Sequence, residues 1–400
     1  MENVSSRCGK SDNAPRLRFP EFSGEWVEKK IKEFANCYAG ATPSTKERKY
    51  WENGTIPWLS SGEVNKKHIS FTDNFITKIG YDSCSTKMIP ANTVVMALAG
   101  QGKTRGTVAI TEIELCTNQS LASIVTNETV DDKFLLYYLE TQYSNLRAIS
   151  SGDGTRGGLN LNIINEYSVF LASLPEQKKI AAFFTLLDRR IQKQRQLVEF
   201  LKTYKRGYFR YLLSTFTTKE YLLNDIIFEY TEKATSNRQY PILSSTMNGI
   251  KLQTTYFNKY AASENTIGYK IVPYGYFTYR SMSDTGEFHF NYQDIIDKGI
   301  VSPAYPVFCV SEFHNSRFVE YILNETDFIK SQLMIAKEGG TRYALSFPKF
   351  QRLRIQLPDK FIQDKVAEQI VLFERKISSE EKVLLSFEVQ KKHLLQQMFI

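Results

Sequence analysis

The 400-residue sequence predicts an α+β protein: two globules of mixed α/β structure, each followed by one long helix. Three observations predict it. Residues 176–213 contain no Pro and carry Ile180, Phe184, Leu187, Ile191, Val198, Leu201, Tyr208 and Leu212 on a heptad seam. The seam returns 186 residues later as Val366, Ile370, Phe373, Ile377, Leu384, Phe387, Leu394 and Met398. Its polar interruptions also match, Gln194 with Glu380 and Lys205 with Lys391. Before each helix lie roughly 150 residues of short apolar runs punctuated by Gly, Asn, Ser and Thr, the pattern of strands and turns.

The elements follow in order. Residues 1–19 form a polar N-terminal arm. The first globule, 20–173, has strand-like runs at 56–60, 93–97 and 108–111 and a helical stretch at 132–149. A central helix takes 174–215. The second globule, 216–356, has strand-like runs at 270–272, 275–279 and 304–310 and a helical stretch at 311–336; the last helix is 357–400. Leu-Pro opens each long helix, at 174–175 and 357–358, where Pro suits a first turn. Gly154-Thr155-Arg156 and Gly340-Thr341-Arg342 are also 186 apart and form matching loops.

Length alone favours two or more domains. With 42% hydrophobic and 24% charged residues the chain is too apolar for extended disorder. The net charge of +8 favours polyanionic partners. Five dispersed cysteines, Cys8, Cys37, Cys84, Cys116 and Cys309, write neither a disulfide framework nor a thiolate zinc site. Residues 1–20 lack the apolar stretch of a signal peptide, and no run approaches a membrane span. A reducing, cytoplasmic location and no membrane are expected.

The sequence resembles the specificity subunit of type I restriction-modification enzymes. Gly154-Thr155-Arg156, then Leu174-Pro175-Glu176-Gln177-Lys178-Lys179-Ile180-Ala181 and Leu187-Asp188-Arg189-Arg190-Ile191, are similar to the region that follows a target recognition domain. The second copy is looser, with an extended 359–364 and Glu374 in the place of Asp188. Stretches 56–64 and 299–305 are similar to an early strand and a later motif of such domains. The resemblance implies two target recognition domains of mixed α/β structure related by a pseudo-twofold, separated by the long helices as an antiparallel coiled coil. Each would bind one half of a bipartite double-stranded DNA sequence. It further implies two methyltransferase subunits that use S-adenosylmethionine to methylate adenine, and two restriction/translocase subunits that use ATP and magnesium. This chain would hold no cofactor or metal and would not be a catalyst. The alternatives are a fused restriction or modification enzyme and a protein-binding coiled-coil scaffold.

The residues themselves offer no catalytic set. Residues 97–104 end in the Gly-Lys-Thr of a phosphate loop, but Ala97 stands at the first glycine position and a strand-like run follows where a helix is needed. Gly152, Gly154 and Gly157 match a dinucleotide fingerprint, yet they follow a helix rather than opening a strand–helix unit. No Pro-Pro occurs, so the adenine methyltransferase loop is absent. Asp359 with Glu374 and Lys376 mimics a nuclease metal site, but on one helix the carboxylates stand more than about 20 Å apart. His68, His289, His314 and His393 show no ligand spacing.

DNA contact asks for Lys, Arg, Ser, Thr and amide side chains on loops. In the first globule these are Lys46, Lys49, Ser60, Ser61, Lys66, Lys67, Gln101, Lys103, Thr104 and Arg105. In the second they are Ser244, Ser245, Thr246, Asn248, Tyr279, Arg280 and Ser281, with Arg156 and Arg342 on the matching loops. Residues 176–213 carry ten Lys or Arg against three Asp or Glu. That surplus reads equally as a solvated face and as a basic bar beside DNA. If the helices pair antiparallel, a register in which paired numbers total 585 sets Gln194 by Lys391, Lys205 by Glu380, Val198 by Phe387 and Leu201 by Leu384. At 1.5 Å per residue the central helix reaches roughly 57 Å, enough to set the half-site spacing.

Overall fold

The computed structural model describes residues 13–100, 104–150, 158–247, 249–253, 265–339 and 342–400. Its fold is α+β, as predicted, with long helices at Leu174–Ser214 and Lys360–Met398. The chain divides into two compact units, residues 1–194 with 383–400, and residues 195–382. Each long helix therefore contributes to both.

In the first unit, a five-stranded sheet runs in the order Ala35–Ala39, Leu121–Thr126, Val94–Ala97, Val108–Thr111, His68–Ile69, antiparallel except for the last pair. Val94–Ala97 and Val108–Thr111 are buried along their whole length, as uninterrupted apolar runs require. The 132–149 stretch is two helices, Asp132–Thr141 and Tyr143–Ile149. Asp131 caps the first, its carboxylate accepting from the N–H of Lys133 and Phe134 at 3.0 Å. Trp26, Phe134, Tyr137 and Tyr138 of the globule, Ile180 and Phe184 of the central helix, and Leu395, Met398 and Phe399 of the last helix make one core.

The second unit repeats this plan with shorter strands. Ile227–Glu229, Val307–Val310, Phe277–Thr278 and Asn291–Tyr292 form an antiparallel sheet in that order. Its helices are Ser316–Glu325 and Asp327–Ala336, so helix begins at 316 rather than 311; residues 311–315 make a turn that Asn315 converts into a cap. Phe209, Phe318, Tyr321, Phe350, Val366 and Ile370 lie in its core. The second Leu-Pro precedes its helix instead of opening it, because Leu357 is still paired with Lys219 in a strand.

Two joints are the same in both units. Strand Val27–Lys30 pairs antiparallel with Ser168–Leu171, and Lys219–Leu222 with Arg354–Leu357, whose partner strands stand 186 residues apart. Gln177, buried at the start of the central helix, accepts from the N–H of Asp131 at 2.9 Å and donates to the carbonyl of Ala172 at 2.8 Å. Gln363, 186 residues on, accepts from the N–H of Asn315 at 2.9 Å and donates to the carbonyl of Pro358 at 2.8 Å.

Within each unit the long helices run antiparallel, but not in the 585 register. Lys391 bonds to Asp188 at 2.7 Å in the first unit, and Lys205 bonds to Glu374 at 2.8 Å in the second. Each carboxylate is six residues, about 9 Å, from the partner assigned by sequence, Gln194 for Lys391 and Glu380 for Lys205. These two pairs total 579, and the cross-helix bonds Tyr208–Gln369 at 2.9 Å and Lys202–Glu381 at 2.8 Å lie at 577 and 583 on either side of it. Phe387 carries the Arg190 guanidinium at 4.4 Å, not Val198, while Glu380 receives Lys376 from its own helix at 2.6 Å. The physical reason is charge: this register gives each lysine a full carboxylate, whereas 585 gave Lys391 only an amide.

Candidate nucleic-acid interface

In the second unit the residues picked from sequence converge. Strands Leu243–Thr246 and Gly249–Leu252 form a hairpin; Gly249 takes φ +90°, and the Thr246 hydroxyl donates to its carbonyl at 2.8 Å. Beside the hairpin lies a cleft of about 200 Å³ lined by Ser245, Thr246, Met247, Arg280, Met282 and Asp284 among others. Arg280 is exposed and has no bonded partner among the described residues. The Arg342 guanidinium reaches Asp284, a residue lining that cleft, at 3.0 Å. A free guanidinium, an acceptor carboxylate and exposed methionine flanks are the chemistry that reads base edges and thymine methyls.

Other residues of that set are buried or already bonded. Tyr279 is fully buried, packed at a tilt against Phe290 and Phe350, with its hydroxyl donating to the Leu345 carbonyl at 3.1 Å; this corrects its reading as a surface contact. Ser245 is also buried and accepts from the Asn291 amide at 2.6 Å. Ser281 is tied to the Ala304 carbonyl at 2.8 Å, and Ser244 is half-buried on the hairpin. Asn248, Gln101, Lys103 and Arg156 lie outside the described residues.

In the first unit Lys46 is exposed with no bonded partner among the described residues, and Lys49 lies near Glu47 at 3.6 Å. Their loop is held open at its base: Trp51 donates to the Ser44 carbonyl at 3.1 Å and Trp58 to that of Ala41 at 3.0 Å. At Gly40 a Cβ would stand 1.8 Å from the Thr117 carbonyl oxygen, so only glycine allows the approach. Ser60 and Ser61 begin a short helix, Ser61–Lys66, whose Glu63 accepts from the Ser60 N–H and hydroxyl, both at 3.1 Å. Thr104 lies in a turn closed by Thr107, and Arg105 donates to the Ser150 carbonyl at 3.3 Å.

Lys66 and Lys67 are committed to carboxylates. Lys66 holds Glu63 at 2.9 Å and Asp73 at 2.7 Å. Lys67 holds Glu140 at 2.7 Å and Asp188 at 2.9 Å; the Tyr137 hydroxyl donates to Asp188 at 2.9 Å, and His68 lies 3.9 Å from it. Burial opposes ionisation of Asp188, yet His68, Lys67 and Lys391 outweigh it and hold the carboxyl well below the usual range. Lys391, enclosed and facing Lys67, is pulled below the ordinary lysine value, while Glu140 and Asp188 more than offset burial at Lys67 and raise it. Sequence reading missed this cluster, although Asp188, Glu374, Lys205 and Lys391 all sit at the 186-residue spacing that would have paired them.

Comparison with known proteins fits this geometry. Residues 23–200 match the family model of the type I restriction modification DNA specificity domain. The motif resemblance to type I specificity subunits is thus upheld. A type I restriction enzyme specificity subunit of Escherichia coli is 25% identical over 174 residues, 43% of this chain and 43% of that one. One from Methanocaldococcus jannaschii is 29% identical over 211 residues, 50% of this chain and 47% of its own. The alignments thus span just under half of each relative. In fold, the crystal structure of a type I restriction-modification S subunit from M. genitalium covers 97% of this chain and 99% of its own, with a TM-score of 0.61 at 16% identity. A second solved chain, from a study of type I complex assembly, covers 93% of this chain and 96% of its own, with a TM-score of 0.53 at 14% identity. No helix among the described residues is long and apolar enough to cross a membrane.

Proposed function

We propose that this chain is the non-catalytic guide of a type I restriction-modification complex, each globule reading one half of a bipartite DNA sequence in the cytoplasm. The observation that carries it is the second-unit cleft, where the 243–252 hairpin and residues 280–284 meet, with Arg342 bonded to Asp284 and Arg280 exposed without a bonded partner among the described residues. The twofold repetition of the strand and glutamine joints supports two readers on one frame. In this reading two methyltransferase subunits supply S-adenosylmethionine chemistry on adenine, and two restriction/translocase subunits supply ATP- and magnesium-dependent cleavage. Single-molecule sequencing of methylated adenines, in cells expressing the chain with its cognate partners, should return one split motif. Replacing residues 20–173 should change one half of that motif and leave the other. A swap that alters both halves, or a purified chain that transfers methyl groups by itself, overturns the reading.

A further inference from the structure

The ionic cluster of the first unit gives one side chain a task that its position in a basic loop hides. We propose that Lys67 is a positioning residue: it fastens the 60–67 loop to the paired helices, so that base selection by the first globule depends on the Asp188–Lys391 link. The inference rests on the DNA-reading function proposed above.

Lys67 closes the Ser61–Lys66 helix at φ 63°, a left-handed conformation that costs a residue with a Cβ about 1 kcal/mol or more and persists only where other bonds impose it. Those bonds are on both sides of the residue. Its carbonyl accepts from the Ile110 N–H at 2.9 Å, anchoring it to the sheet, and its ammonium spans Glu140 and Asp188 while lying 4.9 Å from the Tyr137 ring centre. With a side chain 24% exposed and two carboxylates already bonded, Lys67 has no ammonium to spend on a phosphate. Lys391 arrives at the same two carboxylates from the last helix, at 2.7 Å from Asp188 and 3.3 Å from Glu140. Two cations and two anions balance, so removing either lysine leaves an uncompensated carboxylate under the loop. The second unit has the equivalent helix pair, Lys205 with Glu374, and Lys205 likewise lies over an aromatic ring, Tyr321, at 5.7 Å. Among the described residues no loop lysine joins it. Among the described residues, the first reader alone is fastened to the helices in this way.

The test selects duplexes from a random pool with the full chain, as wild type, Lys67→Met, Lys391→Met and Lys67→Arg, and measures affinity against salt. Both Met variants should lose about tenfold in preference for the half-site assigned to residues 20–173, with the other half and the salt slope unchanged; Lys67→Arg should restore it. A slope lowered by about 0.9 in Lys67→Met alone would make Lys67 a phosphate contact, since that is the expectation for one released counterion. Loss at a single base pair would make it a base reader. An unchanged motif in both Met variants would make the loop independent of the cluster. Each of these overturns the proposal. If the wild type enriches no split motif, the DNA-reading function fails instead, and amide exchange decides the positioning role: protection of residues 60–67 should drop in both Met variants, and full retention refutes it.

Discussion

Asp188 in the first unit and Glu374 in the second hold equivalent places in the duplication and bond equivalent lysines, yet their surroundings differ. Asp188 is enclosed, with a side chain 14% exposed, and takes two lysines and a tyrosine; Glu374 is 44% exposed and takes one lysine. Duplication preserves the backbone frame and the sign of each charge. What each globule adds around the frame decides whether a pair is a surface contact or an internal lock.

The comparison breaks most visibly at the chain end. Phe399→Ala removes a ring packed against Phe134 at 5.4 Å and Phe184 at 5.9 Å, and should destabilise the first unit by about 3–5 kcal/mol in urea unfolding. Its repeat mate Leu213 is only partly buried, and Leu213→Ala should cost the second unit under about 2 kcal/mol. Asp188→Asn should cost about 3 kcal/mol, because the buried Lys391 and the half-buried Lys67 lose their shared partner, whereas Glu374→Gln should cost less than about 1. The depressed Asp188 carboxyl also sets a sign. Its contribution is present above the unfolded value near 3.9 and is lost as pH falls through the lower folded value. Stability of the first unit should therefore decline below about pH 4, and Asp188→Asn should flatten that decline. Gln177→Ala and Gln363→Ala, by contrast, should be alike, each near 1–3 kcal/mol, since each leaves a backbone N–H without its acceptor. A large inequality would mean that the two joints are not equivalent. On binding rather than stability, Arg280→Ala should weaken affinity by about 1 kcal/mol and relax bases in the second half-site only, as read by competition with mismatched duplexes.

Periodicity carried much of this architecture. The seam, the 186-residue offset and the fully buried strands all follow from apolar spacing, which burial enforces directly. Register did not follow, because a heptad pattern slid by seven residues again sets apolar against apolar; the charge partners of Lys205 and Lys391 select a register close to that slide. The loop assignments mixed success and error for another reason. Arg280 and Lys46 are exposed, as basic loop residues usually are. Lys67 finds Asp188 121 residues away and Tyr279 finds Phe350 71 away, and no local pattern encodes such distant company.

The two buried glutamines meet the main chain in the same way, a peptide N–H on one side and a peptide carbonyl on the other, and Gln363 adds a contact to the His314 ring nitrogen at 3.1 Å. The part of the fitting that both joints share makes no demand on the side chains of whatever is mounted upon it. A globule of unrelated sequence could be plugged in, provided that its helix cap presents one N–H at the right height. The coupling is thus generic while its cargo is free to vary, the property an engineer would ask of a socket for exchangeable heads.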